Sequence, residues 1–461
     1  MKTITTFLLL FTLSLAVLAQ DVPTSGTMPI DLATALKLAN ARNYQIALAN
    51  ERVKQAAAQL RQKQYLLIPT LTVGASWHHH EGPLQETGGS LQDVSRSSAY
   101  FGGGAGAVGA GSPMLPGLSV TANLADIYFA PLAAWQNHAA MKAASEAVTD
   151  RVALQVAEAY FALVRARAAV AVAEETLKNT GELAKVTKEF ATTGEGLQSD
   201  AQRVRVEQLF RQRGLEQAKE DFAVAASRLA QLLHLKAGVN LEPSDANVAP
   251  VKVVDADKPV TELVAAALAN RPEVRQTEAL VNRAEQDLKN ARYSPFVPNI
   301  SVGVSAGGYG GGVGGGIGRT DTRTDVNALV FWRWESFGLG DKAKVQAQRS
   351  VVKQAQHSRT GVMDAIVAQV RQSFAQVDSR KRQIAIAEEA VKSARQSYEL
   401  NRARIFERQG LPIEVLQAIQ SLAAARQLYV DTVTDYNQAQ FRLLTALGGA
   451  ESSKIQIPNS K

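Results

Sequence analysis

Two stretches of the chain alternate apolar and polar residues directly after a proline. Behind Pro69, Leu71, Val73, Ala75 and Trp77 interleave with Thr70, Thr72, Gly74 and Ser76; behind Pro298, Ile300, Val302 and Val304 interleave with Ser301, Gly303 and Ser305. The same alternation returns at Val120, Ala122 and Leu124, and again at Val326, Ala328, Val330, Trp332 and Trp334. Period two gives a strand one apolar and one polar face. The pattern predicts four strands, at about 69–77, 118–129, 298–305 and 324–335, paired as two hairpins. Each is close to the ~9–11 residues that a membrane-spanning strand needs. Gly- and Ser-rich loops at about 78–117 and 306–323 are expected to join them. So few strands cannot close a barrel, since even small barrels need about eight; closure requires several chains. The competing reading is a water-facing sandwich with its tryptophans in the core.

Elsewhere the period is that of helices. A short helix is predicted over Asp31–Ala41 and a longer one over about Tyr44–Leu66, with Asn43 as N-cap between them. The design recurs at Val260–Asn270 and Glu273–Arg292, with Pro272 in the first turn, where proline is tolerated. Long helices follow each strand pair, at about Leu132–Thr193 and Leu197–Leu235, then Asp341–Gln409 and Ile413–Leu447. In the last of these, Val415, Leu422, Tyr429, Tyr436 and Leu443 recur every seven residues, with Ile419, Val433 and Leu447 as a second seam. Sustained heptads mean coiled-coil packing, and Leu215, Phe222 and Leu229 keep the same register in the first half.

The two halves are copies. Shifting the sequence by 214 residues lays Val172–Lys178 on Ile386–Lys392, Gly196-Leu197 on Gly410-Leu411, Asp200 on Glu414 and Arg228-Leu229 on Arg442-Leu443. Each copy is helix-forming on both sides and broken once, at Thr192–Gly196 and at Arg408–Pro412. Glycine and proline between periodic segments mark a turn, so each copy is a long helical hairpin. The expected organisation is a first repeat over 20–235, a Pro- and Asp-rich linker over 236–259 with a short strand at Val251–Val254, a second repeat over 260–448, and a tail over 449–461.

Residues 1–19 read as a cleavable secretory signal, with Lys2, an apolar run Phe7–Leu18 and Ala19 before Gln20. No later stretch is apolar enough to span a membrane as a helix, so a membrane crossing would use strands. The formal net charge is +7, but the basic residues alternate with Glu and Gln along helix faces, which describes solvated helix surface and no nucleic-acid partner. The absence of cysteine excludes thiol catalysis, disulfides and cysteine-ligated metals. The glycines of 102–111 and 307–318 contain GxGxxG-like spacings but lie between strands, without the helix a phosphate loop needs; they read as exposed loop. His78, His79 and His80 would alternate faces on a strand and so converge poorly on one metal ion; they read as the polar start of a loop. No nucleophile–base pair, metal cluster or cofactor loop is visible, and no cofactor is expected.

Taken together, the signal segment, the duplicated order of short helix, long helix, strand pair and helical hairpin, Ala267–Val274 (ALANRPEV), the proline-led strands, and the aligned Gly196–Gln202 and Gly410–Ala418 turns resemble the TolC-like outer-membrane efflux protein family. The resemblance covers nearly the whole mature chain. It implies a mainly α fold with a membrane β-barrel portion: a homotrimer that shares a 12-stranded β-barrel in the outer membrane and extends an α-barrel across the periplasm. It further implies a passive conduit in a tripartite efflux or type I secretion system, meeting a periplasmic adaptor and an inner-membrane pump.

Carried onto this sequence, the family's hairpin tips fall at Gly194, Gly196, Leu197, Gln198 and Asp200, and at Gly410, Leu411, Pro412 and Glu414. The Arg-Leu-Ser tip of some members is absent. The family's periplasmic gate of inter-helix polar links maps to Glu399, Arg402, Arg404 and Glu407, and the aromatic girdle to Trp77, Trp332 and Trp334. Two readings of other classes stand beside it: a periplasmic coiled-coil adaptor or scaffold with no membrane span, and a secreted pore-forming or adhesive protein.

Overall fold

The computed structural model describes residues 26–105, 115–236, 238–244, 248–255, 258–407 and 409–449. The expected signal segment, the tail beyond 449, part of the first glycine run and parts of the linker lie outside the described residues.

The chain runs β1 (Gly26–Ile30), α1 (Leu32–Arg42), α2 (Tyr44–Gln64), β2 (Thr70–Leu71), β3 (Val73–Gln85), β4 (Leu91–Ala105), β5 (Leu115–Pro116), β6 (Leu118–Asn123), α3 (Leu124–Thr193) and α4 (Gln198–Leu232). The second half runs β7 (Val239–Pro243), α5 (Val260–Asn270), α6 (Pro272–Tyr293), β8 (Asn299–Val313), β9 (Arg319–Phe331), α7 (Leu339–Phe406) and α8 (Pro412–Ala446). At ~1.5 Å per residue, the 70-residue α3 is about 105 Å long. Asp31 caps α1 through Thr34 N–H and Asn43 caps α2 through Gln45 N–H.

The helices pack as two antiparallel hairpins, α3 with α4 and α7 with α8, braced by α2 and α6 against α3 and by α6 against α7. The largest apolar cluster sits where the short elements meet the long ones and includes Ile30, Leu36, Val156, Tyr160, Leu163, Leu229, Leu241 and Phe441. A parallel pairing of β1 with β7 (Gly26 opposite Val239) crosses this belt and joins the two halves. Along α8 the heptad residues Val415, Ile419, Leu422, Val433, Tyr436 and Leu443 are buried. Among the described residues no helix is long and apolar enough to cross a membrane.

The larger sheet is four strand columns wide. β2 and β3 form the first, β4 and β6 in series the second, β8 the third and β9 the fourth. The lower part of β8 pairs with β6 (Ala122 opposite Ile300) and its upper part with β4 (Ala99 opposite Gly310).

Four expectations are corrected here. The strand predicted at 118–129 stops at Asn123, whose side chain accepts from Ala125 N–H and starts α3; Pro131 then lies inside the helix instead of ahead of it. Most of the predicted loops are strand: β3 continues to Gln85, β4 occupies 91–105, β8 reaches Val313 and β9 begins at Arg319. The expected pairing of the first two strands survives only where Thr70 and Leu71 meet Ser119 and Leu118; Val73–Gln85 pairs instead with β4. Val251–Val254 is no strand; the strand of that region is β7.

Low strand propensity makes these glycine runs resemble loop, yet in β4 and β8 they are strand. In the sheet they are needed for close approach: a Cβ on Gly102 would lie 2.5 Å from Gly307 Cα and 2.7 Å from Ala306 O. Gly102 also has φ +152°, in the range that favours glycine.

Candidate functional site

The part of the sheet nearer the helices sorts most of its residues by chemistry, with Leu329 an exception on the polar side; further out, Thr320, Thr322, Thr324 and His79 lie on the otherwise apolar side. Directly opposed residues of paired strands share a face. Register therefore places Val73, Ala75, Trp77, Ala99, Phe101, Leu118, Val120, Ala122, Ile300, Val302, Val304, Val326, Ala328 and Val330 on one side. The other side carries Ser76, His78, His80, Ser98, Tyr100, Thr121, Ser301, Tyr309, Asp325 and Asn327, with Thr121 Oγ1 and Ser301 Oγ hydrogen-bonded at 2.8 Å. Among the described residues nothing covers the apolar side: Val73 is 68% exposed, Phe101 71% and Val326 70%. Trp77 lies on it, level with Gly310 towards the end distant from the helices. Trp332 and Trp334 are exposed too, but β9 ends at Phe331, so they follow the strand at the end nearest the helices.

At the opposite end of the molecule, each hairpin closes on a glycine-leucine turn. Gly194 ends α3 in the left-handed conformation at φ 78°, and Phe190 O accepts from the N–H groups of Gly194, Glu195 and Gly196. A Cβ on Gly196 would sit 2.9 Å from Phe190 Cβ, so glycine is required by the tight return. Leu197 then takes an extended conformation as N-cap of α4, whose first turn carries Gln198 and Asp200, the latter 3.7 Å from Arg203.

The second tip repeats the geometry by other means. Gln409 and Gly410 N–H groups both reach Arg404 O, at 2.9 and 3.1 Å. Leu411 caps α8, Pro412 occupies its first position, and Glu414 reaches back to Leu411 N–H at 3.5 Å. Leu197 and Leu411 stay bare, 68% and 60% exposed. Beneath the tips Leu183, Val204, Ile405, Val415, Leu416 and Ile419 form a buried cluster that fixes both turns to the hairpins.

The residues Glu399, Arg402, Arg404 and Glu407 do not converge. Glu399 pairs with Arg395 on its own helix at 3.0 Å. Arg402 crosses to Glu182 on α3 at 3.2 Å. Arg404 turns to the tip, 3.3 Å from Glu414 and 3.4 Å from Gln409 O. Glu407 caps the end of α7, its N–H on Ala403 O at 3.1 Å.

Sequence reasoning missed the partners that make cross-helix links. Besides Glu182 they include Glu175, which pairs with Arg426 of α8, and Glu207, which accepts from Gln420 of α8 at 3.1 Å; further from the tips, Glu158 pairs with Arg442 and Arg165 with Asp435. The repeat offered no signal, because it lays Glu182 on Gln396 and Arg402 on Lys188. Tyr398 lies against the Arg402–Glu182 link. Burial pushes its phenol above the ordinary value, with Arg402 opposing and Glu182 adding to the shift, so it remains a neutral neighbour of that ion pair.

Residues 263–449 match the family model described as outer membrane efflux protein. Among curated proteins, the cation efflux system protein CusC of Escherichia coli O157:H7 is 26% identical over 330 residues, 68% of this chain and 67% of the relative. Among solved structures, the CmeC outer membrane channel of Campylobacter jejuni superposes with a TM-score of 0.74 at 17% identity, over 92% of this chain and 88% of the other. The outer membrane protein VceC of Vibrio cholerae gives 0.71 at 16% identity, over 91% and 96%. The second half of the chain thus matches the outer membrane efflux protein family, and the fold of the whole chain resembles those of the CmeC and VceC structures.

Proposed function

We propose that the protein is the outer-membrane channel of a tripartite efflux or type I secretion system, a passive homotrimeric conduit from a periplasmic adaptor and inner-membrane pump to the cell exterior. The observation that carries it is the sheet. Its apolar residues are bare in all four columns, its polar side holds hydroxyls and charges, and among the described residues both edges, β3 and β9, lack partners. A bare apolar face suits lipid, a polar face suits a water-filled lumen, and unpaired edges are abolished by closing with neighbouring copies. Trp77 at one end and Trp332 and Trp334 at the other serve as the aromatic girdles. The alternative of a soluble scaffold requires the apolar face to be buried, and none of the described residues covers it.

In this reading the glycine-leucine tips dock the adaptor, with Leu197 and Leu411 as apolar contacts flanked by Gln198, Asp200, Pro412 and Glu414. The periplasmic entrance is held shut by links between hairpins, among them Arg402–Glu182, which crosses from the second hairpin to the first near the tips. Opening then means an adaptor favouring the state in which such links are broken. Reconstitution into planar bilayers tests the conduit itself. Small resting conductance that rises sharply when the Arg402–Glu182 link is removed supports it; no conductance from wild type or variant would overturn it.

A further inference from the structure

We propose that His78 and His80 form a binding site for a late first-row divalent transition metal on the polar face of the sheet. The three consecutive histidines lie inside β3, not at a loop start, and the strand divides them. His79 is on the apolar side and is satisfied there: its ring stacks on Trp77 at 5.9 Å, its Nδ1 is 2.9 Å from Ser97 Oγ and its Nε2 3.8 Å from Glu81. His78 and His80 share the other side, and the Nε2 of each is shut off from solvent without a hydrogen-bond partner. A shielded imidazole nitrogen with no partner is costly, and two such nitrogens on one short stretch of strand face ask for a common ligand.

Residues two apart on a strand point the same way, roughly 6.6 Å along it, a spacing from which two rings can lean onto one ion at ~2.0–2.1 Å from each nitrogen. Neutral imidazole favours Zn, Cu and Ni. Among the described residues no group of three or more His, Cys, Asp or Glu could hold a metal, so this site offers two protein ligands, and water completes the coordination only as the two rings lean out from their shielded positions onto the ion. Opposite them on β4 lie Ser98, across from His78, and Arg96, across from His80. The Arg96 guanidinium opposes a bound cation and keeps the site weak enough to release it. The pair sits within one chain and needs no barrel closure; only its position on a lumen wall rests on the channel reading.

The test is Cu²⁺ titration of the detergent-extracted, untagged full chain, followed by isothermal calorimetry and electron paramagnetic resonance. The expected result is one ion per chain with coupling to two nitrogens. His78→Gln and His80→Gln should each weaken binding by about tenfold or more, His79→Gln should leave it unchanged, and Arg96→Gln should tighten it. Particle mass and circular dichroism of each variant establish folding. Binding that survives the His78→Gln/His80→Gln double substitution, that His79→Gln abolishes, or that is absent from the folded wild type would overturn the site.

Discussion

Gln440 holds the backbone of Val254: its Oε1 accepts from the Val254 N–H at 2.8 Å and from the Val253 N–H at 3.2 Å. Asn437, one turn earlier on α8, accepts from Val251 N–H at 2.7 Å and donates to Ala249 O at 2.9 Å. A segment with no strand partner is thus tied to α8 by two amides, with the Gln440 Nε2 donating to Tyr436 OH. Both amides are buried. Replacing Gln440 with Leu leaves two backbone donors unpaired, at a cost of ~1–3 kcal/mol. The expected result is faster proteolytic cleavage within 248–255 with the helical content unchanged; cleavage at the wild-type rate would mean that the amide is not what holds the strap.

Leu411→Asp is expected to abolish export while particle mass and outer-membrane location stay as in the wild type. Leu411 is exposed and touches no strained backbone, so its substitution reports on docking alone. Gly410→Asp should also abolish export, but its Cβ would lie 3.1 Å from Ile405 N and 3.2 Å from Arg404 Cβ, so part of that loss comes from a distorted turn. Export by Leu411→Asp at the wild-type level would remove the tips from the docking surface.

Arg402→Glu should raise resting conductance in planar bilayers, and adding Glu182→Arg should restore it, because the pair is re-formed with its charges exchanged. Exposed pairs are worth only ~0–1 kcal/mol each, so the single substitution should give frequent openings and not a permanently open pore. Arg404→Gln should act differently. Its partners are Glu414 and Gln409 O at the second tip, so export should fall more than leak rises. Equal leak from both variants would contradict this division.

Asp31 gives a pH signature at the helix start. Burial raises its carboxyl, but hydrogen bonds from Thr34 and the charge of Lys37 outweigh it and hold the pKa below the ordinary value. A folded-state pKa below the unfolded one gives stability that is present above the unfolded value and is lost as pH falls through the folded value. Asp31→Asn keeps the cap but loses that dependence, whereas Asp31→Ala should cost ~1 kcal/mol at neutral pH. Thermal melts across the acid range distinguish the two.

How much of this was legible in the sequence depended on what held each element. The helices were readable because long apolar heptads and capping residues such as Asn43 act locally, and α5 begins and ends where its pattern does. The glycine-leucine tips were visible because the duplication marks them twice. β4 was not legible: Ser95, Ser97, Ser98 and Gly102–Gly104 carry no strand propensity, and their pairing with β3 and β8 is enforced by close approach of backbones far apart in sequence. The end of the strand at Asn123 was missed for the opposite reason, since Leu124 continues the alternation while the Asn123 cap already commits the chain to helix. Among the candidate gate residues, Arg402 and Arg404 differ only in which helix faces them, and that is set by packing no local pattern records.

The most direct test of the account is gentle detergent fractionation of the cell envelope followed by the mass of the extracted particle. A heat-labile trimer released from the outer membrane only by detergent is the predicted result, because the bare apolar face and the two open sheet edges of one chain are then covered by lipid and by its neighbours. A monomer or dimer in the aqueous periplasmic fraction would contradict it.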